Sequence, residues 1–211
     1  MTITYHGKQF FKIQLGKLVI AYNPPAKSSD TKSARFGADI AIGSFGHPDF
    51  NGFKEVSYGD REPFVIFGPG EYEVEGTFIQ GFGVSSEYDK VEGVNAVYEM
   101  GLENMNLVFL GSLSKKELPE NVLESLEDIG ILFISVGGPS LISPAEAAKL
   151  AVKLEPKIII PMGFTDLKDE NLKTFLKESG GEDAKAEDKL TIKRKDLDDK
   201  AGDIRLLTPQ I

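Results

Sequence analysis

The chain contains no cysteine, which excludes disulfides, thiolate metal ligands and thiol nucleophiles. Histidine is almost as scarce, with only His6 and His47 among 211 residues. Zinc in proteins is held chiefly by imidazole and thiolate, and a catalytic dinuclear centre needs several such groups. Two histidines and 33 aspartate and glutamate residues leave room for an oxygen-rich magnesium or calcium site, but not for an ordinary zinc one. No apolar run approaches the ~20 residues that a membrane span requires. The opening Met1-Thr2-Ile3-Thr4-Tyr5-His6-Gly7 lacks the basic and apolar regions of a secretory signal. Positive charge is also in deficit: the net charge of −9 disfavours broad electrostatic attachment to nucleic acid or an anionic membrane. The expectation is a cytoplasmic protein with neither a membrane nor a nucleic-acid partner.

What is present suits one globular domain spanning residues 1–211, with 41% hydrophobic and 27% charged residues. The first half is rich in strands. β-prone runs fall at 3–5, 10–15, 18–22, 38–42, 64–67, 72–74, 77–82, 95–100 and 106–110, separated by breakers. The polar stretch 27–32 reads as a loop. The second half alternates helices with apolar strands. Apolar spacing at Leu118, Val122, Leu126 and Ile129 predicts a helix over 118–129, followed by a strand over 131–136. Ser143-Pro144-Ala145-Glu146 is a strong helix start, with a capping serine, proline at the first position and glutamate three residues past the cap. That helix runs to Pro156, and a strand follows at 158–160. A third helix is expected over 169–178, closed by Gly180-Gly181, with last strands at 189–194 and 204–207. The mixed-sign segment 182–200 reads as solvated surface. Strands first, then strands alternating with helices, predict sheets with helices outside.

Several short motifs invite functional readings. Gly68-Pro69-Gly70-Glu71-Tyr72 lacks the Lys-Ser/Thr and the helix of a phosphate loop and reads as a turn between strands. Gly137-Gly138 could cradle an anion, although several residues separate it from the helix start at Ser143. His6, at a strand end, reads as a structural or surface histidine. Phe10, Phe11, Phe45, Phe50, Phe53, Phe82 and Phe164 lie near loops, where they either plug a pocket or form a protein-binding patch.

The order of elements and a set of local strings resemble the metallo-β-lactamase superfamily, nearest its lactonase-like hydrolases. The strings are Ile3-Thr4-Tyr5-His6-Gly7-Lys8, Ala21-Tyr22-Asn23-Pro24, the loop Ser44-Phe45-Gly46-His47-Pro48-Asp49-Phe50-Asn51-Gly52, Gly111-Ser112-Leu113, Val136-Gly137-Gly138 with Ser143-Pro144-Ala145-Glu146-Ala147-Ala148, and Ile160-Pro161-Met162-Gly163-Phe164. The resemblance implies an α/β (α+β) fold, a four-layer αββα sandwich. It also implies zinc, held by a central Thr-His-x-His-x-Asp-His motif, a bridging aspartate and further histidines. Two histidines of that motif bind one metal, while its aspartate and last histidine serve the second.

Set against that pattern, most ligand positions here are degenerate. The first and last histidines of the motif are Phe45 and Phe50, leaving His47 and Asp49 as one remnant of each half-site. The bridging aspartate is Ser112, the final histidine is Gly163, and the supporting aspartate before proline is Asn23. The middle histidine, expected after the strand at 77–82, is absent from Gly83-Val84-Ser85-Ser86. A phenyl ring offers no lone pair, and without a metal to acidify water the family's hydrolytic nucleophile is missing. The expected protein therefore has no confident catalytic residue, no metal and no cofactor. It is a metallo-β-lactamase-fold binding or assembly module, with a homo-oligomer or another protein as partner. In this reading His47 makes local hydrogen bonds, Asp49 caps the following turn, and Ser112 satisfies backbone groups. The alternative is a hydrolase with a remodelled site acting on a small ester, lactone or phosphoester. It would use His47 and Asp49 as a general-base dyad, with help from Glu71 or Asp166.

Overall fold

A computed structural model describes residues 1–31, 34–138 and 140–211. Lys32, the last residue of the expected loop, lies outside the described residues.

β1 (Thr2–Tyr5), β2 (Phe11–Leu15) and β3 (Leu18–Tyr22) form an antiparallel meander, to which β4 (Ile40–Gly43) and β5 (Phe64–Phe67) add in parallel. The chain then crosses to a second sheet. There β6 (Gly70–Val74), β7 (Thr77–Tyr88), β8 (Val91–Leu102) and β9 (Met105–Phe109) form another meander, and β10 (Ile131–Ser135) and β11 (Ile158–Met162) extend it in parallel. Four two-residue strands finish the chain: β12 (Ala186–Glu187), β13 (Leu190–Thr191), β14 (Asp203–Ile204) and β15 (Leu206–Leu207). β13 borders β1, β14 borders β11, and β12 pairs with β15.

Burial follows sequence pattern. β1 alternates buried and half-buried residues, as a strand with one covered face should. β10 and β11 are apolar throughout apart from Ser135, and wholly buried, as parallel strands covered on both faces should be. Between the sheets an aromatic stack runs through Tyr22, Phe109 and Phe133, with ring centroids 4.2 Å and 4.0 Å apart. After a short α1 (Glu120–Ser125), the helix Pro144–Lys153 packs on β10 and the helix Glu170–Glu178 packs on it in turn. α2 (Pro144–Lys153) starts with the expected capping box: Ser143 Oγ accepts from the Glu146 N–H at 3.3 Å, and the Glu146 carboxylate accepts from the Ser143 N–H at 3.0 Å. α3 (Glu170–Glu178) is capped by the Asp169 carboxylate, which accepts from the N–H groups of Asn171 and Leu172. The outer face of the first sheet is covered by a loop and a 3₁₀ turn, Phe53–Val56. Ala21, Ala38 and Ala41 let that covering lie close, packed with Phe10 and Val56. The result is the four-layer αββα sandwich, with its first outer layer thinned to a loop and one turn.

Several elements differ from expectation. β7 and β8 run to twelve residues each, joined at Asp89-Lys90, both with positive φ, as a two-residue hairpin turn requires. The inner thirds of this hairpin were hidden by Gly83, Ser85, Ser86 and Gly93, poor strand formers held by cross-strand pairing. Gly83-Val84-Ser85-Ser86 therefore lies within β7, not after it. The helix expected over 118–129 shrinks to α1, which starts after Pro119 at its N-cap and ends where Leu126 leaves the helical region, although Leu118, Val122, Leu126 and Ile129 are all buried. The run 189–194 is a two-residue strand, β13, followed by the 3₁₀ turn Arg194–Leu197. Segment 182–200 is not all solvated surface, since Leu190, Ile192 and Leu197 are buried. His6 is structural: its Nδ1 lies 3.0 Å from the Gln210 carbonyl and its ring packs on Phe10 and Phe36. Burial holds its pKa below the ordinary histidine value.

The Tyr98 hydroxyl ties the two sheets where the chain crosses between them at Gly68-Pro69. It accepts from the Gly68 N–H at 2.9 Å and lies 3.0 Å from both the Gly43 and the Gly68 carbonyls. Tyr98→Phe strips these groups of their partner. It is expected to cost about 1–3 kcal/mol, read as a lower urea midpoint at unchanged slope.

Candidate functional site

The loop at 44–52 leaves the end of β4 and enters the mouth of the sandwich, where it meets the tip of the long hairpin. Phe45 and Phe50 are 1% and 0% exposed, and both pack on Tyr88 from the end of β7, with Leu141 alongside. The Phe50 and Tyr88 rings meet edge to face at 4.6 Å. Gly93, opposite in β8, makes room: a Cβ there would stand 3.1 Å from the Phe45 ring. Both phenyl rings thus plug the interior. Of the other aromatics near loops, Phe10, Phe11 and Phe164 are buried and Phe53 and Phe82 partly so. The exposed apolar residues are a different set, including Phe64, Phe67 and Phe78.

Beside this plug is a cavity of ≈ 430 Å³ whose lining includes Lys8, His47, Asp49, Ser135, Gly137 and Gly163. The landmarks of the sequence do converge here. Asp49, however, does not cap its own turn. Its carboxylate accepts from the Lys8 ammonium at 2.7 Å, the Tyr88 hydroxyl at 2.9 Å and the Ser29 hydroxyl. Three donors from distant segments, one of them charged, hold the buried carboxylate. Burial alone would raise the Asp49 pKa, but the hydrogen bonds from Lys8, Ser29 and Tyr88 together outweigh it and hold the carboxyl below its ordinary value. Burial, then the charge of Asp49, pushes the Tyr88 hydroxyl far up, so it stays a donor.

His47 behaves as a local residue. Its Nδ1 accepts from the Asp49 N–H at 3.2 Å, which leaves the proton of the neutral ring on Nε2. The same Nδ1 lies 3.8 Å from the Asp49 carboxylate, so the expected His47–Asp49 pair is adjacent but not joined by a side-chain hydrogen bond. Glu71 is exposed on β6, and Asp166 is exposed where its carboxylate accepts from the Lys168 N–H; neither lines the cavity.

Beneath the cavity lies a buried network of neutral groups. The Asn23 amide donates to Gln9 Oε1 at 3.1 Å and Ser44 Oγ at 2.9 Å, and accepts from the Ser44 N–H. Gln9 donates to Ser112 Oγ at 3.0 Å. The Ser112 N–H donates to Asn95 Oδ1 at 2.8 Å, and its carbonyl accepts from the Ser86 hydroxyl. Ser112 is completely buried and bound to side chains more than to backbone, with no base at its hydroxyl. Gly111, with φ +64, is obligatory, because a Cβ there would fall 2.3 Å from Asn95 Oδ1.

Lys8, Gln9, Ser29, Tyr88, Ser86 and Asn95 were missed by sequence reasoning. Lys8 alone left a signal, as the residue ending the Ile3-to-Lys8 string. Its backbone is held by the end of β11: the Lys8 N–H donates to the Phe164 carbonyl at 2.8 Å, and the Gly163 N–H to the Lys8 carbonyl. Gly163 is close-packed, and a Cβ there would fall 2.6 Å from Ser135 Oγ. Gly68-Pro69-Gly70 is a turn between strands, as expected, and Gly137-Gly138 borders the cavity.

The donor set does not fit a dinuclear metal centre. Among the described residues, no three histidine, cysteine, aspartate or glutamate side chains group closely enough to hold an ion. The two candidate ligands are each engaged, Asp49 by an ammonium and two hydroxyls, and His47 Nδ1 by a backbone amide. No helix among the described residues is long and apolar enough to cross a membrane.

Solved structures share this architecture. A proposed Zn-dependent hydrolase of the metallo-β-lactamase superfamily from Thermotoga maritima matches with a TM-score of 0.74 and 25% identity, over 98% of this chain and 97% of its own. A proposed metal-dependent hydrolase from Parabacteroides distasonis matches at 0.65 and 19% identity, over 97% and 91%. The metallo hydrolase Igni18 from Ignicoccus hospitalis matches at 0.62 and 15%, over 99% and 95%. No curated protein matches the chain. The family model described as the β-lactamase superfamily domain matches residues 2–163, from the first strand to the glycine at the cavity wall, and the chain belongs to that superfamily.

Proposed function

We propose that this chain is a non-catalytic member of its superfamily, a binding module whose cleft is balanced by its own Lys8 in place of a metal. The observation that carries this reading is the engagement of Asp49 by Lys8, Ser29 and Tyr88. A carboxylate with its charge matched by an ammonium at 2.7 Å has little to gain from a divalent cation, which must first displace that ammonium. The cavity remains open beside this pair and is lined by polar groups, which suits reversible binding of a small polar ligand.

Metal analysis of protein purified without chelator is expected to find zinc and manganese well below one ion per chain. Lactone, phosphodiester and thioester substrates supplied with either metal are expected to show no turnover above the metal-only blank. About one tightly bound ion per chain, or turnover lost in Asp49→Asn, would overturn the proposal.

Gly163→His is expected to lower stability without conferring metal binding. Its Cβ meets Ser135 Oγ, and its φ of +100 is one that residues with side chains avoid. Thermal melts with and without zinc read both effects at once, and a zinc-dependent rise in Tm would contradict the locked-site argument.

The Asp49 pKa also sets a pH dependence. Because the folded carboxyl is held below its ordinary value, the stability it supplies is fully present above that value and is lost as pH falls through the folded pKa. His6, whose pKa is also lowered, adds a separate loss beginning below the ordinary histidine value. In urea titrations between about pH 3 and 7, Asp49→Asn is expected to flatten the acid limb. Lys8→Met removes the counter-ion and is expected to move that limb to higher pH. The His6 contribution is common to all three proteins and cancels in the comparison.

A further inference from the structure

Four strands end the two main sheets, and three of those edges are blunted. β13 and β14 have two residues each, and β6 presents exposed Glu71 and Glu73. Short or charged edges resist pairing with another chain. β5 is short as well and bounded by Pro63 and Pro69, but it carries no charge and is twice the length of β13 or β14. It reads Phe64-Val65-Ile66-Phe67, and Phe64, Val65 and Phe67 are 51%, 43% and 50% exposed.

The hydrogen-bonding direction of this edge follows from its one pairing. The Phe64 N–H donates to the Asp39 carbonyl, on the β4 side, so Phe64 and Ile66 face β4 while the N–H and C=O of Val65 and Phe67 face outward. An antiparallel partner must bring outward-facing residues opposite one another. For two copies of β5 a twofold register does this with Ile66 on the axis. Val65 exchanges both bonds with the partner's Phe67, Phe67 with the partner's Val65, and the Phe64 ring comes to lie over the partner's Gly68. The strand is self-complementary, which a closed dimer requires and a foreign strand does not.

We propose that β5 pairs antiparallel with β5 of a second copy of this chain, joining two six-stranded sheets into one of twelve strands. Phe64, Val65 and Phe67, with Tyr58 in the loop leading into β5, expose roughly 400 Å² of apolar surface per molecule, taking ~200 Å² for an aromatic side chain. Doubled, and with the backbone strip added, this falls in the low range of specific interfaces, about 1,000 Å² in all. The dimer is therefore reversible, with its population set by concentration.

Sedimentation velocity over a hundredfold dilution series is expected to show wild type passing from dimer to monomer. Val65→Lys, at a half-exposed edge position, is expected to be monomeric throughout with an unchanged melt. Glu73→Lys, on the other sheet's edge, is expected to dimerise like wild type. Amide exchange on wild type gives a reading that needs no variant: the Val65 and Phe67 amides slow as the protein is concentrated. A wild type monomeric at every concentration, a dimer that survives Val65→Lys, or Val65 and Phe67 amides that exchange at a concentration-independent rate would each overturn the proposal.

Discussion

Asp49 is a carboxylate inside the mouth of a sandwich, and the groups around it are arranged to keep it charged there. Burying a carboxylate without partners costs several kcal/mol, on the order that would empty a marginal native state. Lys8 from the end of β1, Ser29 from the loop after β3 and Tyr88 from the tip of the long hairpin each bring one donor. These segments come from both sheets, so satisfying one oxygen pair fixes how the loops close over the cleft. Tyr88, held by that bond, in turn offers its ring to Phe45 and Phe50. The polar pair and the phenyl plug are thus one unit, and altering either side repositions the other.

The remaining positions obey the same electrostatic logic. Asn23, Ser44, Gln9, Ser112 and Asn95 form a buried chain of neutral donors and acceptors. A network of amides and hydroxyls is stable without a cation. A set of carboxylates in the same place would repel one another unless protonated or bridged by metal. The neutral groups here are satisfied by one another. The tight contacts around Gly111 and Gly163 add a steric argument, since larger side chains no longer fit where they stand.

Much of the fold was legible because it is local. The apolar runs of β10 and β11, the Ser143 capping box and the Asp169 cap state their conformations in a few consecutive residues. The long hairpin was half legible, since Gly83, Ser85 and Gly93 are strand only by virtue of their cross-strand neighbours. At the site, the ordered landmarks brought Phe45, His47, Asp49, Phe50, Ser112 and Gly163 to one place. Their partners were not legible. Nothing adjacent in sequence announces that Lys8 will reach Asp49, or that Asn95 will hold Ser112, because those pairings are made by register across sheets. Asp49 was misread for that reason: its neighbours in sequence suggested a cap, and its neighbours in space are a cation and two hydroxyls.

Most of the apolar core lies away from the cleft. The aromatic stack of Tyr22, Phe109 and Phe133 lies between the sheets, and α2 packs on β10 from outside. In a chain of this length that core suffices without a metal staple. The cleft is then free to vary, on one condition: every polar group left behind must find a partner, since an orphaned buried donor or acceptor costs about 1–3 kcal/mol. The Lys8 pair and the Asn23–Asn95 chain meet that condition. The Tyr22 hydroxyl, buried beside Asn23 and Ser44, has no hydrogen-bond partner among the described residues, so that condition is met along the chain of amides and hydroxyls but not at every group beside it.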